Sequence, residues 1–197
     1  GIDAHTPHAS QLADPWTIAT WQGVPFRLFT PFCRNALARL DVSDLRAAPA
    51  DLPPFDPILP SLDIPSILPP PLPDWDRGFW THWQPGEAGA MEMLDAFLEG
   101  AAGDYLVQRN LPDRIGTSKL SPYLHFGELS PRRIVQRLQA LQWKASAEKN
   151  IEGYIRELGW SELPHHLLFH SPDSRGNTPN PPLGPLTGAA TASSTRP

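Results

Sequence analysis

The chain has 197 residues, enough for one hydrophobic core of ordinary size. Its formal net charge of −5 excludes a uniformly basic nucleic-acid-binding protein, and its single cysteine excludes a disulfide framework or a thiolate metal cluster. No segment approaches the roughly 18 uninterrupted apolar residues that a membrane-spanning helix needs. We therefore expect a cytoplasmic protein with no membrane association, in which Cys33 is a small buried apolar residue.

The first part of the chain combines an aromatic-rich segment with a proline-rich one. Residues 1–40 are too few to form a domain alone, and ten of the 25 prolines fall between Pro49 and Pro73. Because each proline removes a backbone N–H and restrains the residue before it, we expect residues 41–85 to form an extended linker without regular helix. Its expected anchors on the protein surface are Phe55, Ile58, Leu62, Ile64, Ile67 and Leu68.

Apolar residues at helical spacing predict three helices between residues 86 and 170. They are expected at Glu87–Tyr105, at Pro131–Trp143 behind an N-cap at Ser130, and at Asn150–Leu163. No useful alternating strand pattern follows residue 40, so the predicted fold is mainly α. The final 27 residues, 171–197, contain no aromatic side chain and are expected to be disordered.

Glu162, His166 and His170 have the i, i+4, i+8 spacing that can place three metal ligands on one helical face. Pro164 lies among them, and inside a helix a proline costs roughly 3 kcal/mol. We therefore expect Pro164 to interrupt the helix, and we expect no metal site.

Two features favour a phosphate-bearing ligand. From Tyr105 to Arg156 there are nine Lys/Arg against four acidic residues, a positive region that suits a phosphate backbone, although this count taken alone favours an ordinary solvated helix surface. The run TSKLSPYLHFGELSPR, Thr117–Arg132, brings hydroxyls and a lysine to a turn before a helix. Backbone N–H groups and hydroxyls at such a turn bind anions.

The same run closely resembles the flavin-binding segment of the DNA photolyase/cryptochrome family. Two other blocks, VPFRLFTPFCR (24–34) and IRELGWSELPHHLLFH (155–170), resemble family segments in the correct order. The resemblance is greatest to bacterial class I cyclobutane pyrimidine dimer photolyases. It implies that residues 1–40 are the end of an α/β antenna domain and that residues 86–170 are the first part of a helical FAD-binding domain. Residues 171–197 do not resemble the family, which suggests a truncated or frame-shifted copy.

The resemblance also assigns site residues. It implies FAD contacts from Tyr105, Thr117, Ser118, Lys119, Leu120, Ser121 and Tyr154. It implies contacts to damaged DNA from Arg109, Glu157 and Trp160, and it identifies no retained catalytic residue. Ser161 and Leu163 depart from the family, which usually has arginine and phenylalanine there.

The implied function is light-driven, FAD-dependent repair of pyrimidine dimers in DNA by a monomeric protein of the bacterial cytoplasm. A second antenna chromophore, of folate or deazaflavin type, is expected only in a full-length protein. We expect the isolated chain to be inactive. Two alternatives remain open: a cryptochrome-type blue-light flavoprotein, and a helical remnant that binds no ligand.

Overall fold

The computed structural model describes residues 10–43, 45, 49–51, 62–67, 73 and 75–175. Its helices are α1 (Phe29–Ala38), α2 (Ile64–Ile67), α3 (Glu87–Glu99), α4 (Tyr105–Gln108), α5 (Ser121–His125), α6 (Pro131–Ala140) and α7 (Ala145–His170). Short 3₁₀ turns lie at Pro15–Thr17, Phe79–Thr81, Ala102–Asp104 and Pro172–Arg175. The prediction of a mainly α fold is confirmed, since this part of the chain contains no strand. None of these helices has the length and apolarity needed to cross a bilayer.

The long helix α7 organises the protein, because α1, α4 and α6 all pack against it. The main core lies between α3, α5, α6 and the first half of α7. Leu94, Ile134 and Leu138 are 0% exposed there. Such complete burial of aliphatic side chains is the main favourable term holding the helices together.

A second, smaller core joins α1 to the last half of α7. Phe29, Phe32, Cys33 and Leu163 are buried in it. A Cβ atom at Gly159 of α7 would lie 3.0 Å from Cys33 Sγ, so the absence of a side chain there lets the two helices approach closely. The prediction that Cys33 is buried is confirmed, and burial raises the pKa of its thiol.

The first predicted helix is divided. The helix α3 ends at Glu99, and a 3₁₀ turn then leads into α4, so the expectation of one helix to Tyr105 was wrong. The break falls at Gly100, whose φ of −103° and ψ of −94° are not helical. Glycine has the highest conformational freedom of any residue and weakens a helix at such a point.

The helix α6 begins with Ser130 at the N-cap and Pro131 at its first position, as predicted, although the serine side chain makes no cap hydrogen bond. It ends at Ala140, three residues before the expected end at Trp143. The indole N–H of Trp143 donates a hydrogen bond of 2.8 Å to the carbonyl oxygen of Leu138. This bond occupies a carbonyl at the end of the helix that the next turn would otherwise use.

The helix α7 is longer than predicted at both ends, and it runs through Pro164 to His170. The expectation that Pro164 interrupts the helix was therefore wrong. Leu163 is buried beside it and His166 is 1% exposed, so tertiary contacts secure the helix on the far side of the proline. Packing of this kind offsets the local cost of one missing hydrogen bond.

The described parts of the proline-rich linker are not wholly irregular. One helical turn, α2, lies inside it, contrary to the expectation of no regular helix. The side chains of Leu62 and Ile67 are 74% and 57% exposed, so the described structure does not support their role as anchors. Phe55, Ile58, Leu68 and the predicted disordered tail after residue 175 lie outside the described residues.

Candidate functional site

The loop between α4 and α5 carries the hydroxyl-rich run. Lys119 has a φ of +53°, in the left-handed region that a side chain other than glycine seldom occupies. The backbone N–H of Leu120 donates a 3.4 Å hydrogen bond to Ser118 Oγ across this turn. Strained backbone of this kind persists only where surrounding structure imposes it, and it clusters at ligand sites.

A cavity of about 680 Å³ lies beside this loop. The loop and the start of α5 contribute Thr117, Ser118, Lys119 and Ser121 to its lining. The helices α4 and α7 contribute Tyr105, Tyr154 and Glu157. Seven of the ten side chains predicted to form a binding site thus surround one space.

The two tyrosines form the aromatic end of the cavity. Their ring centroids are 5.0 Å apart at 84°, an edge-to-face contact, and Phe97 packs against both from α3. The hydroxyl of Tyr154 donates a 2.8 Å hydrogen bond to Ser118 Oγ. Burial raises the pKa of Tyr154 to about 12 and also raises that of Tyr105, so both phenols are neutral hydrogen-bond donors at pH 7.

An ion pair lies at the edge of the cavity. Arg109 Nη1 is 2.7 Å from Glu157 Oε1, and the guanidinium lies 5.0 Å from the Tyr105 ring centroid. About a third of each charged side chain is exposed, 31% and 37%. Ion pairs at this exposure contribute little to stability, at most about 1 kcal/mol. A ligand can therefore replace either member of the Arg109–Glu157 pair at a small cost in free energy.

Three predicted site residues do not line the cavity, and Arg109 of the ion pair just described is one of them. Leu120 is 1% exposed and belongs to the main core, where an apolar side chain is more stable than beside a polar ligand. Trp160 stacks on Phe29, with ring centroids 3.5 Å apart and planes 7° apart. Its helical position turns it toward α1, while Glu157 faces the cavity. Trp160 is 49% exposed, so one part of the indole remains open to solvent.

Much of the positive charge predicted to follow phosphates is engaged within the protein. Arg137 pairs with Asp95 at 2.6 Å, and Arg132 donates to the carbonyl oxygens of Leu12 and Asp41. Lys119, Lys144, Lys149 and Arg156 are exposed. The charge count along the sequence therefore overstates the positive charge available to a nucleic acid.

Comparison with known proteins decides the family. The chain is 35% identical to the deoxyribodipyrimidine photo-lyase of Agrobacterium fabrum over 184 residues. It superposes on the crystal structure of a class III photolyase from Agrobacterium tumefaciens with a TM-score of 0.74 at 34% identity, covering 84% of this chain. The chain belongs to the photolyase/cryptochrome family. No family model matches it.

The similar proteins include cryptochromes as well as photolyases. Cryptochrome-1 of Arabidopsis thaliana is 28% identical over 192 residues, 88% of this chain. This photolyase-family chain covers 36% of the Agrobacterium fabrum protein, 27% of the cryptochrome and 34% of the superposed crystal structure. It thus spans about a third of the length of these relatives.

Sequence reasoning missed two residues that position the site in this photolyase-family chain. A Cβ atom at Gly116 would overlap the carbonyl group of Gln108, so only glycine lets the loop pass this close to α4. Asn150 Oδ1 accepts a 2.9 Å hydrogen bond from the backbone N–H of Leu106, which joins α4 to α7. A glycine immediately before the hydroxyl-rich run was the available signal for the first, and no pattern pointed to the second.

Proposed function

We propose that this chain forms part of the FAD-binding site of a deoxyribodipyrimidine photolyase. The observation that carries the proposal is the single cavity onto which Tyr105, Tyr154, Glu157 and the hydroxyl-rich loop converge. The superposition on a photolyase supports the same reading.

The residues present suit this cofactor. A cavity of about 680 Å³ lies within the size range of cofactor sites, roughly 300–1,000 Å³. Thr117, Ser118 and Ser121 offer hydroxyl donors, and Lys119 adds a positive charge. Together these groups suit the two negative charges of a pyrophosphate. Tyr105 offers a neutral phenol to a further polar group of the ligand.

When bound, FAD supplies the light-driven transfer of one electron to a pyrimidine dimer. The residues of this chain hold and orient the cofactor. The Tyr154–Ser118 hydrogen bond fixes the direction in which the serine hydroxyl points. Donors that are already fixed in position bind a charged group without a further free-energy cost of reorienting them.

The proposed substrate is DNA containing a cyclobutane pyrimidine dimer. Glu157 supplies a carboxylate at the cavity edge, and Arg109 supplies a guanidinium that can transfer from Glu157 to a phosphate. Trp160 serves as a flat apolar wall only if its stack on Phe29 opens or its exposed face is used. Enzymes that act on a base flipped out of the duplex, photolyases among them, hold it by such a combination of polar and flat apolar contacts.

A cryptochrome-type flavoprotein is the second candidate, favoured by the likeness to Cryptochrome-1 and by the position of Trp160 outside the cavity. It shares the proposed cofactor and differs in the need for damaged DNA. Binding of a duplex with one thymine dimer, measured against the same undamaged duplex, separates the two. A clear preference for the dimer supports repair, and equal binding supports signalling.

The test of the cofactor is an NMR titration of the isotopically labelled 197-residue polypeptide with FAD. This method detects millimolar binding, equivalent to about 4 kcal/mol, and so suits a site of which only part is present. We expect chemical shifts to move at residues 117–121 and at Tyr105. Ser118→Ala and Tyr105→Phe should reduce these shifts, whereas Ser146→Ala, an exposed serine outside the cavity lining, should not. Absence of any shift, or shifts elsewhere, would show a remnant without this ligand.

A further inference from the structure

The three residues whose spacing suits a metal site contact backbone groups in the structure. Glu162 and His166 are 5% and 1% exposed, and with His170 they lie on one face of α7. The Glu162 carboxylate receives hydrogen bonds from the backbone N–H groups of Leu12 and Ala13. His166 and His170 each lie 3.2 Å from the carbonyl oxygen of Pro15. All three side chains therefore hold backbone of the segment 10–28, here called the strap.

The hydrogen bonds of His166 indicate which of its two ring nitrogens carries the proton in the neutral form. Its Nε2 accepts a 3.1 Å hydrogen bond from the backbone N–H of Phe26, so Nδ1 carries the proton and donates to Pro15. His170 donates from Nε2 to the same carbonyl oxygen. A protonated His166 would place a second N–H against the N–H of Phe26, and two donors cannot bond each other.

The strap also reaches the cavity. Ser10 is part of the cavity lining, two residues before Leu12. Arg132 Nη1 donates a 3.3 Å hydrogen bond to the carbonyl oxygen of Leu12, from the first turn of α6. Leu12 itself is 2% exposed in the main core. The strap is thus held from α6 and from α7 at the point where it borders the cavity.

We propose that Glu162, His166 and His170 are positioning residues that clasp the strap onto α7 and thereby hold Ser10 as one wall of the cavity. The clasp depends only on the geometry above, whereas its effect on flavin binding rests on the proposed function. The charged groups within the strap are Asp14 and Arg27. Arg132 of α6 and Arg39 at the end of α1 contact it from outside, Arg39 by a 2.7 Å hydrogen bond to the carbonyl oxygen of Thr17, and His170 is the titratable neighbour that acts on His166. Protonation of His166 removes the acceptor for Phe26, so acidification that protonates His166 releases this part of the strap, whereas protonation of Glu162 favours the folded state.

Hydrogen exchange followed by mass spectrometry tests the clasp in the 197-residue polypeptide. His166→Phe keeps a ring of similar size and removes both hydrogen bonds. We expect peptides within residues 10–28 to exchange about tenfold faster, while peptides of α3 keep their wild-type rate. His166→Gln, which retains an acceptor and a donor, should restore part of the protection. His82→Gln, an exposed histidine outside the strap, is the matched control.

A second measurement needs no variant. In the wild-type chain, exchange within the strap, corrected for the intrinsic pH dependence of exchange, should accelerate relative to α3 as the pH falls below 6.5, because burial lowers the pKa of His166 from that value. Unchanged strap exchange in His166→Phe and at low pH would overturn the proposal. An equal rise in all peptides would also overturn it, because it would show a general loss of stability instead of local release.

The flavin arm separates this inference from the proposed function. If both are correct, His166→Phe weakens the FAD-induced shifts at residues 117–121 severalfold. If FAD causes no shift in the wild-type chain but the strap exchanges selectively in His166→Phe, the clasp stands and the flavin proposal fails. If FAD binds equally to wild type and variant while the strap is released, the clasp does not position the cavity wall.

Discussion

The hydroxyl of Tyr154 donates a 2.8 Å hydrogen bond to Ser118 Oγ, and this bond joins the middle of α7 to the left-handed turn at Lys119. Tyr154 is 4% exposed, so an unpaired hydroxyl at this position would be costly. One contact thus links the helix that carries Glu157 to the loop that supplies the hydroxyl donors of the cavity.

The first prediction is a measurable coupling between these two residues. Tyr154→Phe should lower the free energy of unfolding by about 1 kcal/mol, the usual net value of a hydrogen bond. The double variant with Ser118→Ala should cost less than the sum of the two single changes, since each removes the same bond. Urea denaturation of the four proteins gives the coupling energy. Strict additivity would show that the bond contributes nothing.

The second prediction concerns Gly116. Gly116→Ala should destabilise the chain by about 2 kcal/mol or more, because the added Cβ overlaps the backbone of Gln108 and neither segment can move without disturbing α4. Gly78→Ala is the matched control, since its Cβ would meet no atom within 4 Å and its φ is −66°. The urea midpoints of both variants decide the matter. Equal, small effects would mean that the loop is free to shift.

The third prediction separates stability from binding at Lys119. Glycine accepts a φ of +53° without strain, so Lys119→Gly should raise the free energy of unfolding by up to about 1 kcal/mol. The same change removes a positive charge from the cavity and should weaken FAD-induced NMR shifts. Lys119→Ala controls for the charge, because it keeps the strain and loses the lysine. A Gly variant that is less stable than the Ala variant would contradict the strain argument.

The fourth prediction is a pH dependence caused by Glu162. Burial raises its pKa from 4.5 to about 7, although the hydrogen bonds from Leu12 and Ala13 lower it. A folded-state pKa above the unfolded value means that protonation favours the folded state. The contribution of Glu162 is therefore complete below pH 4.5 and is lost as the pH rises through about 7.

Glu162→Gln removes this titration. Its stability relative to wild type should rise between about pH 5 and pH 8, by up to roughly 3 kcal/mol. Urea denaturation across this range measures the difference, with Glu99→Gln, at an exposed carboxyl group, as the control. Parallel stability profiles for wild type and Glu162→Gln would contradict the prediction.

The fifth prediction has the opposite sign. Burial lowers the pKa of His166, with a smaller contribution from repulsion by His170. A folded-state pKa below the unfolded value of 6.5 makes its contribution complete above pH 6.5 and lost as the pH falls through the folded value. His166→Gln should therefore lose less stability on acidification than wild type. A steeper acid loss in the variant, by the same urea assay, would refute this assignment.

Local patterns predicted much of the fold. The start of α6 follows from Ser130 and Pro131, which suit an N-cap and a first helical position. The apolar spacing of Leu94 and Phe97 correctly predicted the buried face of α3. Helix ends were less predictable, because Gly100 stops α3 by its own conformation, while α7 continues through Pro164 owing to contacts made far away in sequence.

The site was predictable only in part, for a similar reason. The residue types in the hydroxyl-rich loop indicated anion binding, and the resemblance indicated the tyrosines. Whether each side chain reaches the cavity depends on which element packs beside it along α7. Glu157 lies at the cavity and Trp160 on Phe29 of α1, although the two are one helical turn apart.

The sequence by itself determined the helical class, the chemistry of the loop and the family likeness. Each of these depends on the types of residues that lie close together in the sequence. Only the tertiary structure decided which groups Glu162, His166 and His170 contact. Their i, i+4, i+8 spacing is equally suited to a metal or to backbone groups. The strap that they hold lies about 140 residues earlier in the chain, so no local pattern could reveal it. Long-range packing brings the partners together, and it alone selects between the two roles.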